Sequence, residues 1–391
     1  MNGIYYFETL EEYNSNKPTT VPSFSYIAES DEVFAGEGNY IIATYNVTST
    51  TVTNKIFNQT PSVKYVFVDG FTIGNTTGIT FNELGEVKAK IFLNDDNFDF
   101  SSLFNGCKTL TSVDFTMVDT TQYYPVNMSD MFKGCSNLTT LDLASFDCTS
   151  VTSFAGMCQN CSSLTSVVFD SGTSFDSLET AANMFINCRK LENIIFPDSC
   201  ETYSLTDTSS MFKNCESITD LQTIIETLDT SSVTNMSSMF MGCQIESLDL
   251  STFDTSSVEN MSTMFQDCTQ LTSLTINEWD TSSVTTMDSM FRNCSALTSL
   301  DLSGFDLTNV TDLDNTFRMC TNLTSITILG GAPSSDCLYS GMTNGIAPNG
   351  TLTLNTEYAH IPDDTFKLAF KTNGWSVIAV EYSSVTNENE E

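Results

Sequence analysis

A Phe-x-x-Cys-type unit returns nine times along this chain, most cleanly as Met239-Phe240-Met241-Gly242-Cys243. The framed cysteines are Cys107, Cys135, Cys161, Cys188, Cys215, Cys243, Cys268, Cys294 and Cys320, with gaps of 28, 26, 27, 27, 28, 25, 26 and 26 residues. A constant period of this size describes one supersecondary unit stacked on copies of itself. Such arrays offer long repetitive faces rather than one deep pocket, which favours recognition over catalysis.

Within one unit, Met236, Met239, Phe240 and Cys243 fall at i, i+3, i+4 and i+7, the apolar stripe of a short helix. Asp229-Thr230-Ser231-Ser232 precedes it and supplies oxygens suited to capping its first turn. Leu248 and Leu250 then alternate with polar neighbours, as in a short half-buried strand. Other copies keep the frame: a branched apolar residue stands three places after most of the cysteines, and strand pairs such as Leu141/Leu143 and Leu300/Leu302 follow. One copy carries Cys158 where the others carry Phe. The expected fold is an α/β repeat solenoid of about nine units, each a short strand plus a short helix or turn.

The string M-x-x-M-F-x-x-C-x-x-L-x-x-L-D-L-S-x-F-D-T-S-x-V resembles the BspA-like leucine-rich repeat, found on bacterial surface proteins and in gut-associated phage and protist sequences. The resemblance covers residues 87–330. It implies a curved solenoid with strands on one face and short helices or turns on the other. It also implies adhesion and protein binding rather than an activity.

Residues 41–86 contain runs such as VKYVFVDG and read as a β-rich amino-terminal cap or small domain. Residues 1–40 read as an extended leader, and part of that segment is similar to leaders of gut-phage virion proteins. That second resemblance implies attachment to a virion protein, with the solenoid held outwards towards a bacterial surface glycan or protein. A bacterial cell-surface adhesin is the alternative. Residues 331–382 read as a carboxy-terminal cap, with an amphipathic helix over Ile361 to Phe370, a break at Gly374 and a last strand from Trp375. Residues 383–391 read as an acidic, solvated tail.

The formal net charge is −35, from 49 Asp and Glu against 14 Lys and Arg. That field repels nucleic acid and anionic headgroups, so neither is expected as a partner. The first twenty residues carry early acids and no long apolar core, so no secretory signal is read there. No apolar run approaches the ~18 residues of a membrane span. His360 is the only histidine, and no nucleophile–base pair, phosphate loop or cofactor motif is placed by spacing.

The nine repeat cysteines are expected to form a ladder of buried, reduced thiols. If they sit on helices, neighbours lie about 8–10 Å apart, beyond the roughly 7 Å reach of a disulfide between Cα atoms. No CxxC pair matches another and only one histidine exists, so no zinc site is expected.

The outward strand column runs Asp114, Asp142, Val168, Ile195, Gln222, Asp249, Thr275, Asp301, Thr327. Asp142, Asp249 and Asp301 could offer hard oxygen ligands to calcium, or simply be solvated. Val168, Ile195, Pro197 and Ile224 interrupt the polar column as an apolar island, read either as a contact site or as locally buried residues. Homo-oligomerisation is left open.

Overall fold

The computed structural model describes residues 5–7, 25–27, 39–58, 63–68, 71–72, 78–81, 84–94, 99–119, 124–169, 171–197, 200–218, 221–360 and 364–381. Within the leader, β1 (Tyr5–Phe7) and β2 (Ser25–Ile27) pair in parallel. The rest of the leader up to residue 38, and the tail from 382, lie outside the described residues.

The amino-terminal region is antiparallel. It comprises β3 (Tyr40–Val47), β4 (Asn54–Lys55), β5 (Val63–Val68), β6 (Phe71–Thr72), β7 (Gly78–Ile79) and β8 (Gly85–Leu93). Alternation in β3 turns Ile41, Ala43, Tyr45 and Val47 into the core. The main sheet runs β6-β5-β8-β3-β9, and β9 (Leu110–Asp114) is the strand of the first solenoid coil. The cap therefore joins the array through an antiparallel strand pair. The solenoid boundary read at residue 87 falls inside β8. The first coil begins at Asp99, which bridges to Asn127.

The array follows as β10 (Thr140–Leu143), β11 (Ser166–Phe169), β12 (Asn193–Ile195), α1 (Leu221–Ile225), β13 (Ser247–Asp249), β14 (Ser273–Thr275), β15 (Ser299–Leu302) and β16 (Ser325–Ile328). Neighbouring strands are parallel and in register, as in Asp142↔Val168↔Ile195 and Asp301↔Thr327. The fold is an LRR-like β-solenoid of about nine coils of ~26 residues. β17 (Thr351–Asn355), α2 (Thr356–His360), α3 (Thr365–Lys371) and β18 (Ser376–Val380) complete the chain. Because β17 and β18 extend the β15–β16 ladder, the strand stack continues through the segment read as a separate cap. Asp364 caps α3 by accepting from the Lys367 N–H at 2.9 Å, and residues 361–363 of the expected helix lie outside the described residues.

The expected helix over Met236–Cys243 is instead a row of turns. Ser238 (φ 58°) and Gly242 (φ 75°) adopt left-handed backbone, which interrupts α-helical hydrogen bonding. Alternate N–H groups then take different partners. Those of Met236, Ser238, Phe240 and Gly242 donate to Asn260, Ser262, Met264 and Gln266 of the next coil at 2.8–3.0 Å. Those of Met239, Met241 and Cys243 close local turns onto Met236, Ser238 and Phe240. Gly242 suits this left-handed position, and the Asn214 carboxamide of the previous coil lies where its Cβ would stand.

Direct bonding brings turn rows to the ~4.8 Å spacing of hydrogen-bonded strands. Inward side chains consequently form continuous columns. Phe212, Phe240, Phe265, Phe291 and Phe317 stack with centroids 5.7–6.0 Å apart and rings within 14° of parallel. The spine breaks at Cys158, between Phe132 and Phe185. There Phe154, Phe169 and Phe175 fill the core in tilted and edge-on contacts at 5.3–5.6 Å.

The inter-coil backbone N–H groups of the turn row point towards the carboxy terminus and the carbonyls that accept them point towards the amino terminus. Carbonyls of the first coil would be left over, and the cap meets them. Asn58 N–H donates to the Leu103 carbonyl at 2.7 Å, while the Lys55 ammonium and the Asn58 carboxamide donate to that of Asn105. A cation at the carbonyl end of aligned peptide dipoles is the arrangement favoured at helix carboxy termini.

Candidate interaction face

The outward strand column is assembled by the parallel register, but its members differ in what they expose. Ile195 is 55% exposed, whereas Val168 beside it is half-buried. Pro197 and Ile224 are buried, the second of the two readings of the island. The cause at Ile224 is local. The fifth coil folds residues 221–225 as α1 instead of a strand, and this helix turns Leu221, Ile224 and Ile225 into the core. The apolar island thus contracts to Ile195 with the edge of Val168.

Replacing a strand by a helix would leave the next strand without a backbone partner. Gln222 supplies one from its side chain. Its carboxamide nitrogen donates to the Asp249 carbonyl and its oxygen accepts the Asp249 N–H, both at 2.9 Å. Glu226 also accepts from the same nitrogen at 2.9 Å. Nothing in the repeat consensus announces this. The signal that could have found it is an amide-bearing residue at the column position of the one copy without a strand pattern.

Asp142, Asp249 and Asp301 are exposed, and each is engaged locally. Their Oδ1 atoms accept from the N–H two residues on, in Ala144, Ser251 and Ser303, at 2.9–3.0 Å. These aspartates shape the turn leaving each strand. Among the described residues, no group of His, Cys, Asp and Glu is arranged to hold a metal ion. A second aspartate row, including Asp229, Asp254 and Asp280, closes the following turns the same way onto Ser231, Ser256 and Ser282. Between these rows lies a ladder missed at the sequence level. Thr230, Thr255 and Thr281 are buried, and their hydroxyls donate to the Asp254, Asp280 and Asp306 carbonyls of the next coil at 2.9–3.0 Å.

All nine repeat cysteines are buried free thiols, as are Cys148, Cys158, Cys200 and Cys337. From Cys135 to Cys320 each repeat thiol donates to a carbonyl of the preceding coil at 3.0–3.2 Å, as Cys243 does to Phe212. The column is thus a row of donors as well as small apolar side chains. Burial pushes the Cys107, Cys243 and Cys320 thiols up to about 12. The ladder cysteines lie on stacked turns, closer than the ~8–10 Å of packed helices. Alignment is what separates the thiols. Identical residues in register carry parallel Cα–Cβ bonds, so their Cβ atoms stay ~4.8 Å apart, outside the roughly 3.5–4.5 Å of a disulfide.

Charge is segregated across the coil. Every Lys and Arg between residues 99 and 327 (Lys108, Lys133, Arg189, Lys190, Lys213, Arg292, Arg318) stands within two residues of a ladder cysteine, on the turn side. Lys133 pairs with Asp130 at 3.2 Å, and Arg189 pairs with Glu216. The strand column offers only carboxylates, hydroxyls, amides and the exposed Ile195. No helix among the described residues is long and apolar enough to cross a membrane.

A family described as "Mycoplasma protein of unknown function, DUF285" matches residues 94–197, 179–275 and 242–327. Among solved structures, a leucine-rich repeat protein from Bacteroides ovatus is similar at 15% identity, over 78% of this chain and 90% of that one, with a TM-score of 0.22. No curated protein matches. The matched segments together span more than half of the chain, which belongs to the DUF285 repeat family.

Proposed function

We propose, starting from this membership, that the chain is a non-enzymatic binding protein that recognises its partner on the strand face around Ile195. The observation that carries this reading is the column itself. It is acidic and polar, holds no basic residue in the array, and exposes one large aliphatic side chain beside the only coil whose strand is replaced by a helix. A complementary partner presents hydrogen-bond donors or cations around an apolar contact. The setting is display on a surface. The leader's similarity to gut-phage virion segments supports a virion fibre or decoration protein, attached through residues 1–40 and meeting a bacterial surface glycan or protein. The second reading is a bacterial cell-surface adhesin, in keeping with a family described from Mycoplasma, a bacterium.

Two measurements test this. Labelled wild-type chain is expected to bind bacterial cells, and Ile195→Asp to lose that binding at an unchanged melting temperature. Retained binding, or a large fall in melting temperature, would remove the face from consideration. Mass spectrometry of purified phage particles is expected to detect the chain, whereas its recovery from bacterial cell-surface fractions alone would select the adhesin.

A further inference from the structure

In the third coil the spine column carries a cysteine beside the ladder cysteine. Cys158 occupies the phenylalanine position of the spine and Cys161 the ladder position, giving Cys158-Gln159-Asn160-Cys161. This segment is a closed turn. The Cys161 N–H donates to the Cys158 carbonyl at 3.1 Å, and Asn160 holds left-handed backbone with φ 64°. A four-residue turn keeps its end Cα atoms within about 7 Å, and disulfides span roughly 4.4–6.8 Å. Both side chains are fully buried on the inner side of the coil. Neighbouring ladder cysteines instead stand on separate coils, stacked in register.

We propose that Cys158 and Cys161 are a disulfide-forming pair, a covalent modification site within an otherwise thiol-only ladder. With a small-molecule disulfide as oxidant, one thiolate attacks it and expels one thiolate of the oxidant. The second cysteine then displaces the other. The net change converts two protein thiols and one disulfide into the Cys158–Cys161 bond and two small-molecule thiols, so both electrons and both protons leave with the oxidant. Closing the bond removes the hydrogen from the Cys161 sulfur and thereby its 3.0 Å contact to the Phe132 carbonyl. Burial raises the Cys158 thiol well above its ordinary range, so exchange occurs in the open chain and the pair is set as the coil closes.

The test starts from the full chain, reduced and denatured, then refolded in a buffer of glutathione and glutathione disulfide. Free thiols are alkylated and the protein is mapped by mass spectrometry. The expected product is lighter than the reduced chain by two hydrogens, with a 158–161 link and the other cysteines alkylated. Cys158→Ser and Cys161→Ser should each refold with a cooperative melt and no link, and Cys158→Ala repeats the first test without a hydroxyl. A folded wild-type chain with every cysteine alkylated would overturn the proposal. So would a link joining Cys135 or Cys188 instead.

Discussion

The coils framed by Cys243 to Cys320 and those framed by Cys161 to Cys215 share one backbone plan but fill it differently. In the former, the phenylalanines stack face to face and strands keep polar outward positions. In the latter, the spine loses a ring at Cys158, edge-on phenylalanines compensate, and one strand becomes α1. Through both, the bridge column continues without a gap from Asp99 to Leu338. The turn row thus sets the register, while the strand side tolerates exchange of a whole element. Features that vary without breaking the stack are where recognition can differ between members of a repeat family.

The largest expected effect tests the regular spine. Phe265→Ala removes a ring packed against Phe240, Trp279 and Phe291, and should cost about 3–5 kcal/mol in denaturant unfolding. A loss below 1 kcal/mol would mean that the spine is no stronger than the edge-on cluster. Next comes pH. Thiols raised towards 12 in the fold ionise more readily in the unfolded chain, so their contribution is complete below the ordinary thiol range near 9 and is lost as pH rises from there towards 12. Thermal melts from pH 7 to 11 should show this fall, and Cys243→Ala should flatten it. Gln222→Ala strips the fifth coil of its substitute amide and leaves one N–H and one carbonyl of Asp249 unpaired. About 1–2 kcal/mol is expected, with faster hydrogen exchange at Asp249. Ile195→Asp should change stability by less than about 0.5 kcal/mol, as for exposed positions generally.

Much of the fold was legible because inward residues must repeat when coils repeat. The stripe Met236, Met239, Phe240 and Cys243 does not separate a helix from a turn row, since both place these positions inward. What separates them is the residue before each cysteine. Gly106, Gly134, Asn160, Asn187, Asn214, Gly242, Asp267 and Asn293 are all suited to left-handed backbone, and all adopt it. Met319 takes the same conformation (φ 63°) without such suitability, at a cost of about 1–2 kcal/mol. The column was legible residue by residue as far as Ile195. At Ile224 the structure selects burial from the two readings, because alternation presumes a strand and the fifth coil has none. The role of Gln222 could not be read from pattern, since it depends on a backbone partner exposed by a missing neighbour.

The one-way hydrogen bonding of the turn row has a further consequence. Each coil offers the same set of donors to its successor and the same set of acceptors to its predecessor, whatever fills its core. Along the turn row a coil can therefore follow any other, whereas on the strand side the junction after the fifth coil also needs Gln222 to pair Asp249. The first coil, met by Lys55 and Asn58, and the fifth, joined through Gln222, are the exceptions. The reach of such a molecule can lengthen or shorten between generations in steps of one coil, without redesign of either end.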